Sequence, residues 1–162
     1  MTIFVITNNM SGMARSTRVR SVGSAEEAAF LDLLRTADVL TRGAIGVLKA
    51  EDLSPTQYNV MRILRGSPQG LTCGEIASRM ITRDPDVTRL LDRMEKRGLI
   101  SRSRESRDRR VVLTRITAQG LNLANRLDEP IQKAHRKQLG HLGKRRLRAL
   151  QRLLAIARQE RK

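Results

Sequence analysis

The sequence predicts a mainly α-helical domain carrying one small β-hairpin, and three observations carry that prediction. Apolar residues recur at three- and four-residue spacing through most of the chain. Two stretches open with the residue pattern that closes a helix's first turn, and one pair of short β-prone runs follows Gly98. At 162 residues the chain can build one real core and is too short for two comfortable domains.

Residues 1–24 read as a tail. Its only apolar run, TIFVIT, is far too short to span a membrane, and no basic stretch precedes it as in a signal peptide, so the sequence points to a cytoplasmic protein with no membrane partner. Met10 and Met13 leave a downstream start open. Arg15, Arg18 and Arg20 suit either a short arm along phosphates or an end with no role.

From Ala25 to about Lys49 the series Phe30, Leu34, Ala37, Leu40, Leu48 fits one long amphipathic helix. Ser54-Pro55-Thr56-Gln57 has capping logic for the next, with Leu53 and Tyr58 as its hydrophobic staple. Thr72 and Glu75 form a second capping box with Leu71 and Ile76 as staple. That helix starts at Thr72, turns Ile76, Ala77 and Met80 inward, and ends near Ile81.

A further helix opens at Asp84-Pro85, read as a capping residue followed by proline at the first helical position, where the missing N–H costs nothing. Val87, Leu90, Leu91 and Met94 make its buried stripe, and Gly98 stops it. The runs Ile100–Arg104 and Val111–Ile116 pair as a hairpin. Past Gly120 a helix runs to around Leu139, kinked or broken at Pro130. Gly140 and Gly143 punctuate, and a last helix carries Leu147, Leu150, Leu154 and Ala157 on one stripe.

Two capped helices, a turn and a basic hairpin in series form a winged helix-turn-helix, whose second helix enters the major groove of double-stranded DNA. At about 100° per residue the outward face of that helix carries Pro85, Thr88, Arg89, Asp92, Arg93 and Lys96. Thr88 and Arg89 lie nearest its N-terminus. Arg89 has the two-pronged fork that reads guanine, and Thr88 suits a thymine methyl or a phosphate. At the hairpin tip Arg107, Arg109 and Arg110 suit phosphate or minor-groove contact, against the alternative of a merely solvated charge cluster.

The net charge of +16 implies a polyanionic partner or surface, and 26 of the 32 basic residues are arginine, which suits bidentate contacts but also follows from a GC-rich genome. Residues 83–116 carry +5 and residues 117–162 carry +9, so the excess extends beyond the DNA-reading part.

From Leu53 to Gly120 the chain resembles the MarR family of bacterial winged-helix transcription regulators. The segments L-S-P-T-Q-Y, L-T-x-G-E-I-A, V-T-R-L-L-D-R-M-E-K-R-G-L-I and D-R-R-V-V-L-T-R-I-T-A-Q-G occur in that family's order and spacing. The resemblance implies that Arg110 enters the minor groove while Asp108 braces it. It also implies one domain over 25–162, with the DNA-binding winged helix at 53–117 and dimerisation helices at 25–50 and 118–160. The terminal helices have more apolar surface than a small DNA-binding unit can cover, which a symmetric dimer would resolve, against a monomer whose terminal helices merely cover the core. The family's function then follows as an expectation: a homodimeric repressor on a pseudo-palindromic operator, released by a small phenolic or other aromatic effector.

Other chemistry has little support in the sequence. His135 and His141 are six apart, off one helical face, with no C-x-x-C or H-x-x-x-H nearby, so no metal, cofactor or catalytic residue is expected. Cys73 stands alone in the first turn of a helix. It leaves a thiol-based redox sensor as an alternative, beside a small half-buried side chain with no such role. A sequence-tolerant nucleoid-type DNA-binding protein is the other alternative.

Overall fold

A computed structural model describes residues 23–82, 84–105 and 110–159, in two units that meet between Thr36 and Ala37. The elements are α1 (Ala25–Lys49), α2 (Pro55–Arg65), α3 (Cys73–Arg79), α4 (Val87–Lys96), β1 (Ile100–Arg104), β2 (Val112–Ile116), α5 (Ala118–Leu139), a 3-10 turn (Gly140–Leu142) and α6 (Gly143–Ala157). Of the N-terminal tail only Gly23 and Ser24 are described. Within the first unit Ser24 Oγ accepts from the Glu27 N–H, opening α1, and Phe30 and Leu34 are exposed.

The second unit is built on two capping boxes. Ser54 and Gln57 exchange side-chain and backbone hydrogen bonds at the start of α2, and Thr72 and Glu75 do the same at α3. The staple residues Leu53, Tyr58, Leu71 and Ile76 are all buried in one core with Val60, Met61 and Leu64 of α2. Leu90, Leu91 and Met94 of α4 and Leu123, Leu127 and Ile131 of α5 belong to it, with Leu48, Leu99, Ile100 and Ala124. Val87 packs at its edge.

β1 and β2 pair antiparallel with Ile100 opposite Ile116 and Arg104 opposite Val112. Leu71 adds a bridge on the other edge of β2, exchanging backbone bonds of 3.0 and 2.8 Å with Thr114. This ties the entry to α3 to the hairpin.

The chain departs from the sequence reading at three boundaries. α4 begins at Val87 rather than Pro85, and its cap is Asp86, whose carboxylate accepts from the Arg89 N–H at 3.0 Å. Asp84 is unavailable because its side chain accepts from the Asp86 N–H at 2.9 Å, closing a local turn that holds Pro85 ahead of the helix. α3 ends at Arg79, with Met80 already extended. α5 starts at Ala118, capped by Thr117, and runs through Pro130 without a break. Pro130 and Arg126, four residues earlier, are both exposed, so the carbonyl that loses its donor lies on the solvent side.

Gly98, at φ +69°, ends α4 as a C′ glycine: its N–H reaches Glu95 O at 2.8 Å and the Leu99 N–H reaches Met94 O at 3.1 Å. Gly120 has a different reason. A Cβ there would sit 2.1 Å from the Leu99 carbonyl oxygen, so α5 packs on the α4 exit through a bare backbone. Gly120→Ala is expected to destabilise the fold by about 1–3 kcal/mol in urea denaturation. Gly74→Ala, where the added methyl meets nothing within 4 Å, should instead raise stability by roughly 0.5–1 kcal/mol.

Candidate nucleic-acid interface

Burial of Leu90, Leu91 and Met94 fixes the rotation of α4 about its own axis, and the opposite face is thereby aimed at solvent. Thr88, Arg89, Arg93 and Lys96 are all exposed on it, with Asp92 half-buried at its flank. Pro85 is exposed immediately ahead of the helix. Thr88 and Arg89 occupy the first turn, where the sequence places the groove-reading residues. Arg89 Nε lies 3.1 Å from the Asp86 carboxylate, and its side chain is 80% exposed. An exposed pair of this kind is worth under about 1 kcal/mol, so it orients the guanidinium without locking it.

Of the hairpin-tip residues, Arg107, Asp108 and Arg109 lie outside the described residues. Arg110 is described and exposed, two residues before β2. Cys73 is half-buried in the first turn of α3, its Sγ 3.9 Å from Thr88 Oγ1.

Sequence reasoning took Arg102 only as part of a strand, whereas the structure makes it the link between hairpin and helix. Its guanidinium donates to Glu95 Oε2 through Nε at 2.9 Å and through a terminal nitrogen at 2.6 Å, and that nitrogen also reaches Asp92 Oδ1 at 2.6 Å. Its backbone N–H adds a bond of 2.9 Å to Glu95 Oε1. β1 is thus clamped to α4 by one arginine. Glu95 is held below the usual carboxylate range, chiefly by the Arg102 hydrogen bond and against the opposing effect of burial. The available signal was the acidic pair three residues apart on α4; nothing local said which basic residue would meet it.

A second brace joins α2 to α5. Arg65 binds Asp128 through both terminal nitrogens, at 2.7 and 3.1 Å, and Tyr58 Oη donates to the same carboxylate at 3.4 Å. Asp128 is pushed below its ordinary range by the Arg65 hydrogen bond, while desolvation first, then the Asp128 charge, raises Tyr58. Beside this brace a cavity of about 170 Å³ is lined by Leu48, Ile81 and Ile131 together with Tyr58, Arg62 and His135.

A helix held by its apolar side with its basic side free, next to a two-stranded hairpin, defines a winged helix-turn-helix protein. The comparisons with known proteins agree and go further. The MarR family model matches residues 53–112. The crystal structure of a MarR transcription factor from Planctomyces limnophilus is 39% identical, covering 82% of this chain and 97% of that one with a TM-score of 0.64. The transcriptional repressor CouR, solved bound to a 23-mer DNA duplex, is 28% identical over 85% of this chain and 98% of its own, with a TM-score of 0.72. The homoprotocatechuate degradative operon repressor of Escherichia coli is 32% identical over 91 residues, 56% of this chain. The chain spans 61% of that relative's length. The protein belongs to the MarR family of transcription regulators.

The Arg102 clamp has a pH signature. Because Glu95 titrates lower in the folded protein than in the unfolded chain, its contribution is complete above the ordinary carboxylate value, about 4.3, and is lost as pH falls through the lowered folded value. Arg102→Met should cost about 1 kcal/mol or less at pH 7, and the gap to the parent protein should narrow as pH falls below the ordinary carboxylate value. Urea titrations across that range check it. An equal gap at pH 7 and pH 3 would mean that packing alone holds the hairpin.

Proposed function

We propose that the protein is a homodimeric, ligand-responsive repressor that acts in the cytoplasm on a pseudo-palindromic operator. The observation that carries this reading is the outward face of α4, with Thr88, Arg89, Arg93 and Lys96 exposed opposite a buried stripe. In this reading Arg89 reads a base edge, with Pro85 and Thr88 beside it at the groove floor, while Arg93 and Lys96 take phosphates. The hairpin residues Arg107, Arg109 and Arg110 reach the minor groove or its phosphates, with Asp108 bracing Arg110, as the family resemblance implies. CouR's structure on a DNA duplex, at 28% identity, supports DNA as the partner.

Large apolar side chains left in solvent support the dimer. Phe30, Leu33 and Leu34 of α1 and Leu153 and Ile156 of α6 are exposed, the last two above 60%. Residues of this size repeated on terminal helices are what a second copy would cover. The domain limits of 25–50 and 118–160 for the dimerisation helices, around a DNA-binding part at 53–117, belong to the same proposal.

The cavity beside the α2–α5 brace is our choice for the effector site. Its volume, about 170 Å³, is that of a single aromatic ring's compartment, and Arg62 lies 5.9 Å from the Tyr58 ring centroid, offering a cation and a hydroxyl beside Asn59, His135 and an aliphatic remainder. A small phenolic or aromatic acid matches it. One relative is named for repressing an operon that degrades homoprotocatechuate, itself such an acid. Ile81, in the linker between α3 and α4, borders the same cavity, so an occupant would bear on the turn that sets the angle of α4. Such a ligand shifts DNA binding only to the extent that it prefers one placement of α4 over another.

Three measurements test the reading. Light scattering should give twice the chain mass, and a footprint on the gene's own upstream DNA should show half-sites about 10 bp apart, centre to centre. Arg89→Ala should lose roughly 1–3 kcal/mol on that operator, relax preference at one base position and change binding to random duplex little. Equal losses on operator and random DNA would remove Arg89 from base reading.

A further inference from the structure

Where the end of α1 and the first turn of α2 meet the last turns of α4, an open cavity of about 510 Å³ is lined by Leu53, Ser54 and Gln57 and by the cations Lys49, Arg93, Lys96 and Arg97. Arg97 is committed internally. Its guanidinium donates to the carbonyl oxygens of Asp52 and Glu51, the latter at 3.1 Å, and lies 3.7 Å from the Asp52 carboxylate. It therefore neutralises the one acidic side chain in the lining and straps the α1–α2 turn to the end of α4. Lys49, Arg93 and Lys96 are exposed, and their side chains have no hydrogen bond or ion pair among the described residues. Three cations from two elements thus share one concave surface whose one carboxylate, Asp52, lies beside Arg97.

We propose that this concavity is a seat for the DNA backbone, in which Lys49 joins Arg93 and Lys96 on a phosphate beyond the helix-turn-helix proper. The proposal rests on the DNA-binding reading above and extends it to a residue outside the winged helix. Three features select DNA rather than a small anion. Arg89, Arg93 and Lys96 are spaced i, i+4, i+7, so they form one stripe about 10 Å long that begins at the groove-reading turn and ends in the cavity. A helix that enters the major groove by its N-terminus must leave past the sugar-phosphate rail, and the C-terminal half of α4 is where that crossing falls. The cavity is also open along this face instead of closing round a ligand. The first turn of α2, capped by Ser54, adds the positive end of its helix dipole to the same surface.

Lys49 is at a helix end and exposed, so Lys49→Gln leaves the fold intact and isolates the contact. Binding of the full chain to its own upstream duplex and to a random duplex of equal length is measured over a salt series, for the parent, Lys49→Gln, Lys49→Arg and Arg89→Ala. Removing one phosphate contact per protomer, two per dimer, should flatten the slope of log affinity against log salt by about 1.8 on both duplexes, leave the ratio between them unchanged, and be restored by Lys49→Arg. A slope in Lys49→Gln equal to the parent's on both duplexes overturns the seat, as does a change confined to the operator. Failure of the broader reading looks different. A parent protein that does not distinguish its upstream DNA from random duplex refutes the operator-specific function, yet a flattened slope in Lys49→Gln on the random duplex would still place Lys49 on a phosphate.

Discussion

The burial of Leu90, Leu91 and Met94 is the constraint on which the exposed chemistry depends. A helix pinned along one stripe can neither roll nor slide without exposing side chains whose burial is worth about 1.5–3 kcal/mol each. With 100° between successive residues, fixing those three also fixes where Thr88, Arg89, Arg93 and Lys96 point. The same constraint places Asp92 and Glu95 at the flank, where Arg102 of the hairpin meets them. Core packing thereby sets the angle between the two elements that would touch DNA.

Charge is allotted by the same logic. The described carboxylates nearest the interface are used internally: Glu75 closes a capping box, Asp86 caps α4 and pairs with Arg89, and Glu95 and Asp92 hold Arg102. Asp128 is spent on Arg65 and Tyr58 farther from α4. Arg102 and Arg65, paired in this way, become struts, whereas Arg89, in an exposed pair, stays with the unpaired cations on the positive surface. A net charge of +16 says little about function until this sorting is made.

What was legible in the sequence follows from how local the determining interactions are. The capping boxes at Ser54 and Thr72 need only four residues each, and both formed as read. The stripe on α4 survives because a helical period is set by neighbours, and the two β-prone runs pair as a hairpin. Asp84-Pro85-Asp86 failed by two residues because either aspartate can cap and only the turn geometry chooses between them. Arg102 and Lys49 were opaque for another reason. Arg102 finds its partners through a chain reversal at Gly98, and Lys49 meets α4 only because Arg97 draws the α1–α2 turn across to it. At the hairpin tip Arg107 and Arg109 rest on their charge and position in the sequence and Asp108 on the family resemblance, all three lying outside the described residues.

The joint between α4 and α5 is tight. The Thr117 hydroxyl donates to Gly98 O at 2.6 Å while its N–H donates to Leu99 O at 3.1 Å, and Gly120 lets α5 sit directly on that same carbonyl. α4 is consequently a lever rooted in α5. Its 10 residues give an arm of about 15 Å, so a rotation of about 10° at the root swings the Thr88 end by about 2.6 Å. That sweep is close to the length of a hydrogen bond, so if α4 reads DNA as proposed, a change of this size at its root would carry its first turn out of register with a base edge.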